Sequence, residues 1–342
     1  MMKEVGFEDE TFRTAPQCLW ATRMKTETML GIAPTTDEAG FAKICVTSAA
    51  AFETAVMYLY EDPWERLRLL RMQMPKTPQN FFIRSRNLMG WQMFPNDVVE
   101  LFIRCIHRIG IEWIEVFDGL NDLDIIKFHL LMGKKLGLKT TGHISLNLSP
   151  VHTDEYFAEK ARGMVGVGVD VVNLSDPCGV IMPERLRSLI RTVRGALEGK
   201  AKLAFFAHSN TGLSGDCYKE AMECGIDFLK TVTLPLAYGY SLPASIDMLQ
   251  AARERGIKVN LDERRIREID DYFYWSAYRE KKPLGKLVPF DPVKYKEVAS
   301  HQIPGGMMSN LENQLSELGL MHKLPEVLEE SAIVRQELGY PV

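Results

Sequence analysis

Leu203-Ala-Phe-Phe-Ala-His-Ser-Asn-Thr-Gly-Leu-Ser214 is the stretch that decides the fold. Leu203 to Ala207 are all apolar and read as a strand buried on both faces, as strands of a parallel sheet are. The run stops at His208, and a polar, glycine-containing turn then opens a new helix. At the carboxyl end of a strand in an α/β barrel, a side chain points into the mouth, where an imidazole can hold a metal or carry a proton. Hydrogen bonding to a neighbouring loop would explain the same histidine, and this segment leaves both readings open.

Outward from this strand, further β-rich runs occur at 5–9, 41–46, 79–84, 113–118, 139–144, 169–174 and 228–233. Amphipathic helical patterns at 97–109, 123–136, 153–162, 183–197 and 242–255 alternate with them. Gly110, Gly137, Gly225 and Gly256 follow helices directly, where a left-handed cap needs glycine. Strands alternating with helices predict an α/β fold, a TIM (β/α)8 barrel over residues 1–260, because right-handed crossovers leave few other closures. Residues 261–342 predict a helical C-terminal extension. It begins with a charged helix at 262–282 bearing Tyr272, Phe273, Tyr274, Trp275 and Tyr278 on or near one face. A loop at 283–292, a helix near 312–318 and a last helix at 324–338 follow.

At 342 residues, the chain fits one large barrel with a smaller appendage. A net charge of -4 gives no electrostatic case for nucleic acid or an acidic membrane. No apolar run approaches the ~18 residues that span a bilayer, and the amino-terminal residues lack a signal-peptide pattern. Cys18, Cys45, Cys105, Cys178, Cys217 and Cys224 are scattered, which predicts reduced thiols and a cytoplasmic protein. Taken together, Asp9, Cys45, Arg84, Asp118, His143, Ser175, Asp176 and His208 fall at strand ends. An aspartate there is often only a helix cap. Recurrence of polar groups around the ring predicts a catalytic mouth, hence an enzyme.

Several ordered motifs carry a family resemblance. Asp9-Glu-Thr-Phe-Arg-Thr-Ala-Pro-Gln-Cys-Leu-Trp-Ala-Thr-Arg23 is similar to D-x-T-x-R-D-A-x-Q-S-x-x-A-T-R, and Glu61-Asp-Pro-Trp-Glu-Arg-Leu-Arg68 to E-D-P-W-x-R-L-R. Phe117-Asp-Gly-Leu-Asn121 resembles F-D-x-L-N, and Ser149-Pro-Val-His-Thr153 resembles S-P-V-H-T. His301-Gln-Ile-Pro-Gly-Gly-Met-Met-Ser-Asn-Leu311 is close to H-Q-x-P-G-G-M-x-S-N-L. The chain thus resembles the carboxyltransferase barrel of oxaloacetate decarboxylase α subunits, transcarboxylase and pyruvate carboxylase, within the wider HMG-CoA-lyase-like superfamily.

The resemblance implies a divalent metal, zinc, manganese or magnesium, held by an Asp after the first strand, a carboxylated Lys and both histidines of an H-x-H strand. Asp9 and His208 match two of these, whereas Ser175 stands at the lysine position and Phe206 at the first histidine. The family's E-x-W-G-G-A becomes Cys45-Val-Thr-Ser-Ala-Ala50, its D-A-H becomes Thr14-Ala-Pro16, and Glu115 replaces an arginine. G-T-S-Q-P becomes Gly239-Tyr-Ser-Leu-Pro243, losing a polar side chain of the cofactor pocket. Scaffold motifs persist while chemistry positions have changed.

Gln17 and Arg84 match residues that hold the carboxylate and carbonyl of a 2-oxo acid, with Arg13 and His143 expected beside them. Ser309 matches a residue proposed to pass a proton between biotin and an enolate, although Ser309 with Glu312 also reads as a capping box. His208, Asp9, Ser309 and Cys178 are the catalytic expectations, and His143 reads as a base or ligand. No biotin-accepting A-M-K-M is present, so biotin would ride on a separate carrier protein. The leading expectation is carboxyltransferase or lyase chemistry next to the carbonyl of a pyruvate- or oxaloacetate-type acid through an enolate, in a homodimer or other homo-oligomer. The alternatives are a biotin-independent lyase, aldolase or hydrolase, or a non-catalytic partner subunit docking through 272–278.

Overall fold

The computed structural model describes residues 3–90 and 92–342. Eight parallel strands close a barrel in sequence order: β1 Gly6–Asp9, β2 Lys43–Ser48, β3 Gln79–Arg84, β4 Trp113–Phe117, β5 Lys139–Ser145, β6 Val171–Asp176, β7 Lys202–Ala207 and β8 Phe228–Thr231. The apolar run 203–207 forms β7, which begins one residue earlier at Lys202 and leaves His208 just beyond its carboxyl end. Helices alternate with the strands and bury one stripe each. In Asn96–Ile109, Val99, Phe102, Ile103 and Ile106 repeat at helical spacing and face inward. Asp62, Asp122 and Thr153 each accept backbone N–H bonds at a helix start, and Gly110 closes a helix with φ 96°.

Strand alternation sorts side chains into an interior set and a set facing the helices. On β1, Phe7 joins the apolar layer beneath the helices while Glu8, and Glu10 just past the strand, turn inward to lysines. The register pairs Asp9 with Thr231, whose hydroxyl bonds to Ser245 at the start of helix Ser245–Glu254. Asp9 therefore faces the helical layer, away from the barrel axis.

The C-terminal helices differ from expectation in three respects. Helix Glu263–Glu280 spreads its aromatic residues around its circumference: Phe273 is buried against Phe12 and Trp20, while Trp275 and Tyr278 are 71% and 80% exposed. Helix Pro292–His301 has no counterpart among the expected elements; Asp291 caps it, and its first residue is the proline that closes the expected loop at 283–292. The next helix, Gly305–Glu317, starts seven residues before the expected 312 because glycines at its start permit close packing on the barrel mouth. Among the described residues, no helix is long and apolar enough to cross a membrane.

Candidate active site

Inward positions of the strands put a band of rings at the carboxyl end of the barrel. Phe82 lies 5.0 Å from Phe117 and 5.2 Å from His143, and Phe206 lies 6.2 Å from His143 and 5.0 Å from His208, between ring centroids. The Arg13 guanidinium stacks 4.0 Å over the Phe82 ring. Its NH1 donates to Thr14 Oγ1 at 2.8 Å, and its buried Nε has no partner among the described residues. Gln17, on the short helix Thr14–Leu19, likewise keeps an unpartnered buried Oε1. Unmatched polar atoms in a water-poor space are expensive unless something polar comes to meet them.

Helix Gly305–Glu317 approaches this mouth with its amino end. A Cβ on Gly305 would fall 2.6 Å from Asn210 Oδ1, 2.8 Å from the Tyr240 carbonyl and 3.2 Å from His208 Nδ1. One on Gly306 would stand 3.3 Å from Gln17 Nε2. Only a residue without a side chain lets the helix start this close, and the positive end of its dipole then faces the ring band.

Two imidazoles present the same atom to the mouth. His208 Nδ1 donates to the Tyr240 carbonyl and lies 3.6 Å from Cys18 Sγ. His143 Nδ1 donates to Glu115 Oε1 at 2.9 Å, because a carboxylate only accepts. Each ring therefore carries its lone pair on Nε2, which has no partner among the described residues and is not sealed from solvent. Burial, helped by Arg13, pushes His208 down to about 4. Burial also lowers His143 against the pull of Glu115, so both rings are neutral bases near pH 7. Burial pushes the Cys18 thiol up to about 12, leaving it uncharged beside His208.

Below the rings lies a charged core that sequence reasoning missed. Lys230, 1% exposed, pairs with Glu115, with Glu10 at 3.0 Å and with Glu8 at 3.7 Å. Lys43 bonds Glu8 at 3.2 Å and caps the Trp113 ring at 4.3 Å. Glu115 accepts further bonds from Asn80 and Asn173, each at 3.2 Å. Burial opposes its charge, but Lys230, His143 and Lys43 outweigh burial and hold the carboxyl well below its usual range. Glu10 accepts from Thr14 Oγ1 at 2.7 Å, which links this core to Arg13 at the mouth. The available signal was the presence of charged residues in strands that a barrel buries on both faces.

The expected site residues separate into groups. Arg13, Gln17, His143 and His208 converge on the mouth. Arg84 ends β3 and donates to the carbonyls of Asn87 and Gly90 at 3.4 and 2.5 Å, bracing the loop beside the mouth. Ser309 lies inside helix Gly305–Glu317 and its Oγ donates to the Gly306 carbonyl at 3.2 Å, so the capping-box reading is wrong. Tyr240 takes up Glu312, the other half of that box, at 2.7 Å. Cys178 is turned away from the ring band: it donates to the Gln302 carbonyl at 2.9 Å and packs with Val180 and Val298. That burial raises its thiol well above normal and keeps it protonated near pH 7. Asp9 accepts from Thr11 at 2.6 Å on the outer side of β1, and burial pushes it up to about 7.

The metal set implied by resemblance does not fit these residues. Asp9 and His208 belong to different faces of the barrel wall, Phe206 contributes a hydrocarbon ring, and Ser175 a neutral hydroxyl. Among the described residues, no three His, Cys, Asp or Glu side chains gather as a metal would require. Cys45 points its thiol to the Thr47 carbonyl, and Glu115 is consumed by Lys230.

Comparisons with known proteins agree along the chain. Residues 298–342 match the family model described as a conserved carboxylase domain. A pyruvate carboxylase subunit of Methanocaldococcus jannaschii is 36% identical over 98% of this chain and 59% of its own length. The methylmalonyl-CoA carboxyltransferase 5S subunit of Propionibacterium freudenreichii subsp. shermanii is 31% identical over 99% of this chain and 66% of its own. The chain thus spans about three fifths to two thirds of these curated relatives. The carboxyl transferase domain of Rhizobium etli pyruvate carboxylase, solved with pyruvate and biocytin, superposes with a TM-score of 0.91 at 26% identity. That superposition covers 100% of this chain and 58% of the other.

Proposed function

Since the chain belongs to the carboxyltransferase family of pyruvate carboxylase and transcarboxylase, we propose that it moves a carboxyl group on or off the carbon beside the carbonyl of a pyruvate- or oxaloacetate-type acid. The observation that carries this reading is the agreement along almost the whole chain with a domain solved holding pyruvate and biocytin. In this reading Arg84, Arg13 and the Gln17 amide hold the acid's carboxylate and carbonyl, as a guanidinium fork suits a carboxylate. The amino end of helix Gly305–Glu317 faces the charge that develops on the enolate oxygen. Phe82, Phe117 and Phe206 keep water from the enolate and strengthen every polar contact around it. Ser309 exchanges a proton with the biotin ring of a carrier, which supplies or takes the carboxyl group. His208, neutral and fixed by Tyr240, offers Nε2 to the same space.

The test is oxaloacetate decarboxylation by the purified chain, with and without biocytin. Saturable pyruvate formation that is inhibited by oxamate and falls at least tenfold in Arg84→Met supports the reading. Full activity in that variant removes the anchoring role, and no turnover with any carrier or biocytin removes the reading.

A further inference from the structure

Glu115 and His143 form a carboxylate–imidazole pair that the expected metal chemistry does not use. They sit on adjacent strands, β4 and β5, and the pair is built as a base. Glu115 is fully buried and fixed by Lys230, Asn80 and Asn173, so it cannot swing away. It holds Nδ1–H, which dictates that the lone pair sits on Nε2. Around the ring, Phe82, Phe117 and Phe206 pack without supplying a polar partner. Nε2 is left without a partner among the described residues.

We propose that His143, positioned by Glu115, is the proton acceptor for the methyl carbon of the bound 2-oxo acid, acting in a mouth whose residues do not build the family's metal centre. This rests on the 2-oxo acid reading given above. The Nε2 lone pair takes a proton from the carbon beside the carbonyl. The C–H pair becomes the C=C bond of the enolate, and the negative charge moves to the carbonyl oxygen, which Arg13 and the helix amino end face. The imidazolium so formed keeps its Nδ1–H on Glu115, whose charge stabilises it. In the carboxylating direction the imidazolium then releases its proton to solvent, and in the decarboxylating direction His143 first takes a proton from solvent and passes it to the enolate, so proton and charge balance over one cycle. The groups whose fields reach this ring are Glu115 from β4, Lys230 from β8, Arg13 ahead of helix Thr14–Leu19 and His208 beyond β7.

The experiment is solvent deuterium exchange into the methyl group of pyruvate, followed by NMR without biotin or carrier, beside calorimetric titration of the same samples with oxamate. Wild type should exchange. His143→Gln should exchange at least ~100-fold more slowly, within the range for loss of a general base, with oxamate affinity changed less than about threefold. Glu115→Gln weakens the base, so the acidic limb of the exchange rate should move to lower pH while the plateau falls, which a purely structural defect would not do. If Glu115→Gln does not fold, Glu115→Gln/Lys230→Met restores the net charge of the core and should show a limb moved in the same direction but less far, because Lys230 itself lowers His143. Exchange unaffected by His143→Gln, with oxamate still bound, overturns the pair's role alone. Failure of wild type to bind oxamate overturns the 2-oxo acid reading, and the proposal with it.

Discussion

Replacing Lys230 by methionine probes the barrel's interior directly, because the two side chains have similar length and differ mainly in charge. Lys230 is 1% exposed and touches three carboxylates: Glu115, Glu10 at 3.0 Å and Glu8 at 3.7 Å. Glu8 retains Lys43 at 3.2 Å, and Glu10 retains the Thr14 bond, but Glu115 loses its strongest countercharge. Removing one partner of a buried pair costs about 3–5 kcal/mol, since the other charge stays behind without compensation. With an unfolding entropy of about 2.1 cal/mol/K per residue, a chain of 342 residues should melt roughly 4–7 °C lower. The sign of the pH dependence is fixed by Glu115. In wild type its depressed carboxyl contributes stability that is present above the unfolded value of 4.5 and lost as pH falls toward its much lower folded value. In the variant Glu115 is driven to bind a proton instead, so the deficit should be largest near pH 8 and should narrow toward pH 5. Calorimetry at both pH values measures this, and Lys230→Met/Glu115→Gln should recover part of the loss. A variant that melts within 1 °C of wild type (roughly 0.7 kcal/mol on the same scale) at pH 8 would refute the charged-core account.

Gly305→Ala should displace helix Gly305–Glu317 from the mouth, because the new methyl would meet Asn210, Tyr240 and His208 at 2.6–3.2 Å. A loss of about 1–3 kcal/mol, with weaker oxamate binding by calorimetry, is the expected result. Asp9 takes up a proton on folding, so it contributes stability below 3.8 that is lost as pH rises through about 7. Asp9→Asn should therefore melt higher than wild type at pH 8, with the gap closing by pH 5 in thermal scans. Cys18 and Cys178 are buried and uncharged, whereas Cys105 is partly exposed. Iodoacetamide at pH 8 should label Cys105 first, as read by peptide mass spectrometry.

Much of the barrel was legible because a strand buried on both faces leaves a continuous apolar run, and 203–207 is such a run. The helix at 183–197 was legible to the residue, since Pro183 opens it and its apolar positions repeat at helical spacing. What escaped depends on register. Glu115 and His143 are 28 positions apart and meet only because β4 and β5 pair as they do. Asp9 at a strand end looked like a mouth residue, but its neighbours Glu8 and Glu10 take the inward positions and alternation turns it outward. Ser309 with Glu312 carried the local signature of a helix start, and the glycines at 305 and 306 overrode it by letting the helix begin earlier against the barrel. The lysines were hidden for another reason: Lys43 and Lys230 interrupt apolar strands and would ordinarily mark exposed edges. Only barrel closure brings carboxylates from β1 and β4 within reach of them.

Carboxyl transfer itself is tested most directly by isotope exchange between labelled pyruvate and unlabelled oxaloacetate, with biocytin as the intermediate acceptor. Label should enter oxaloacetate only when chain and biocytin are both present, and should be lost in Arg84→Met. Absence of label transfer by a folded chain that still binds oxamate would contradict the carboxyltransferase assignment.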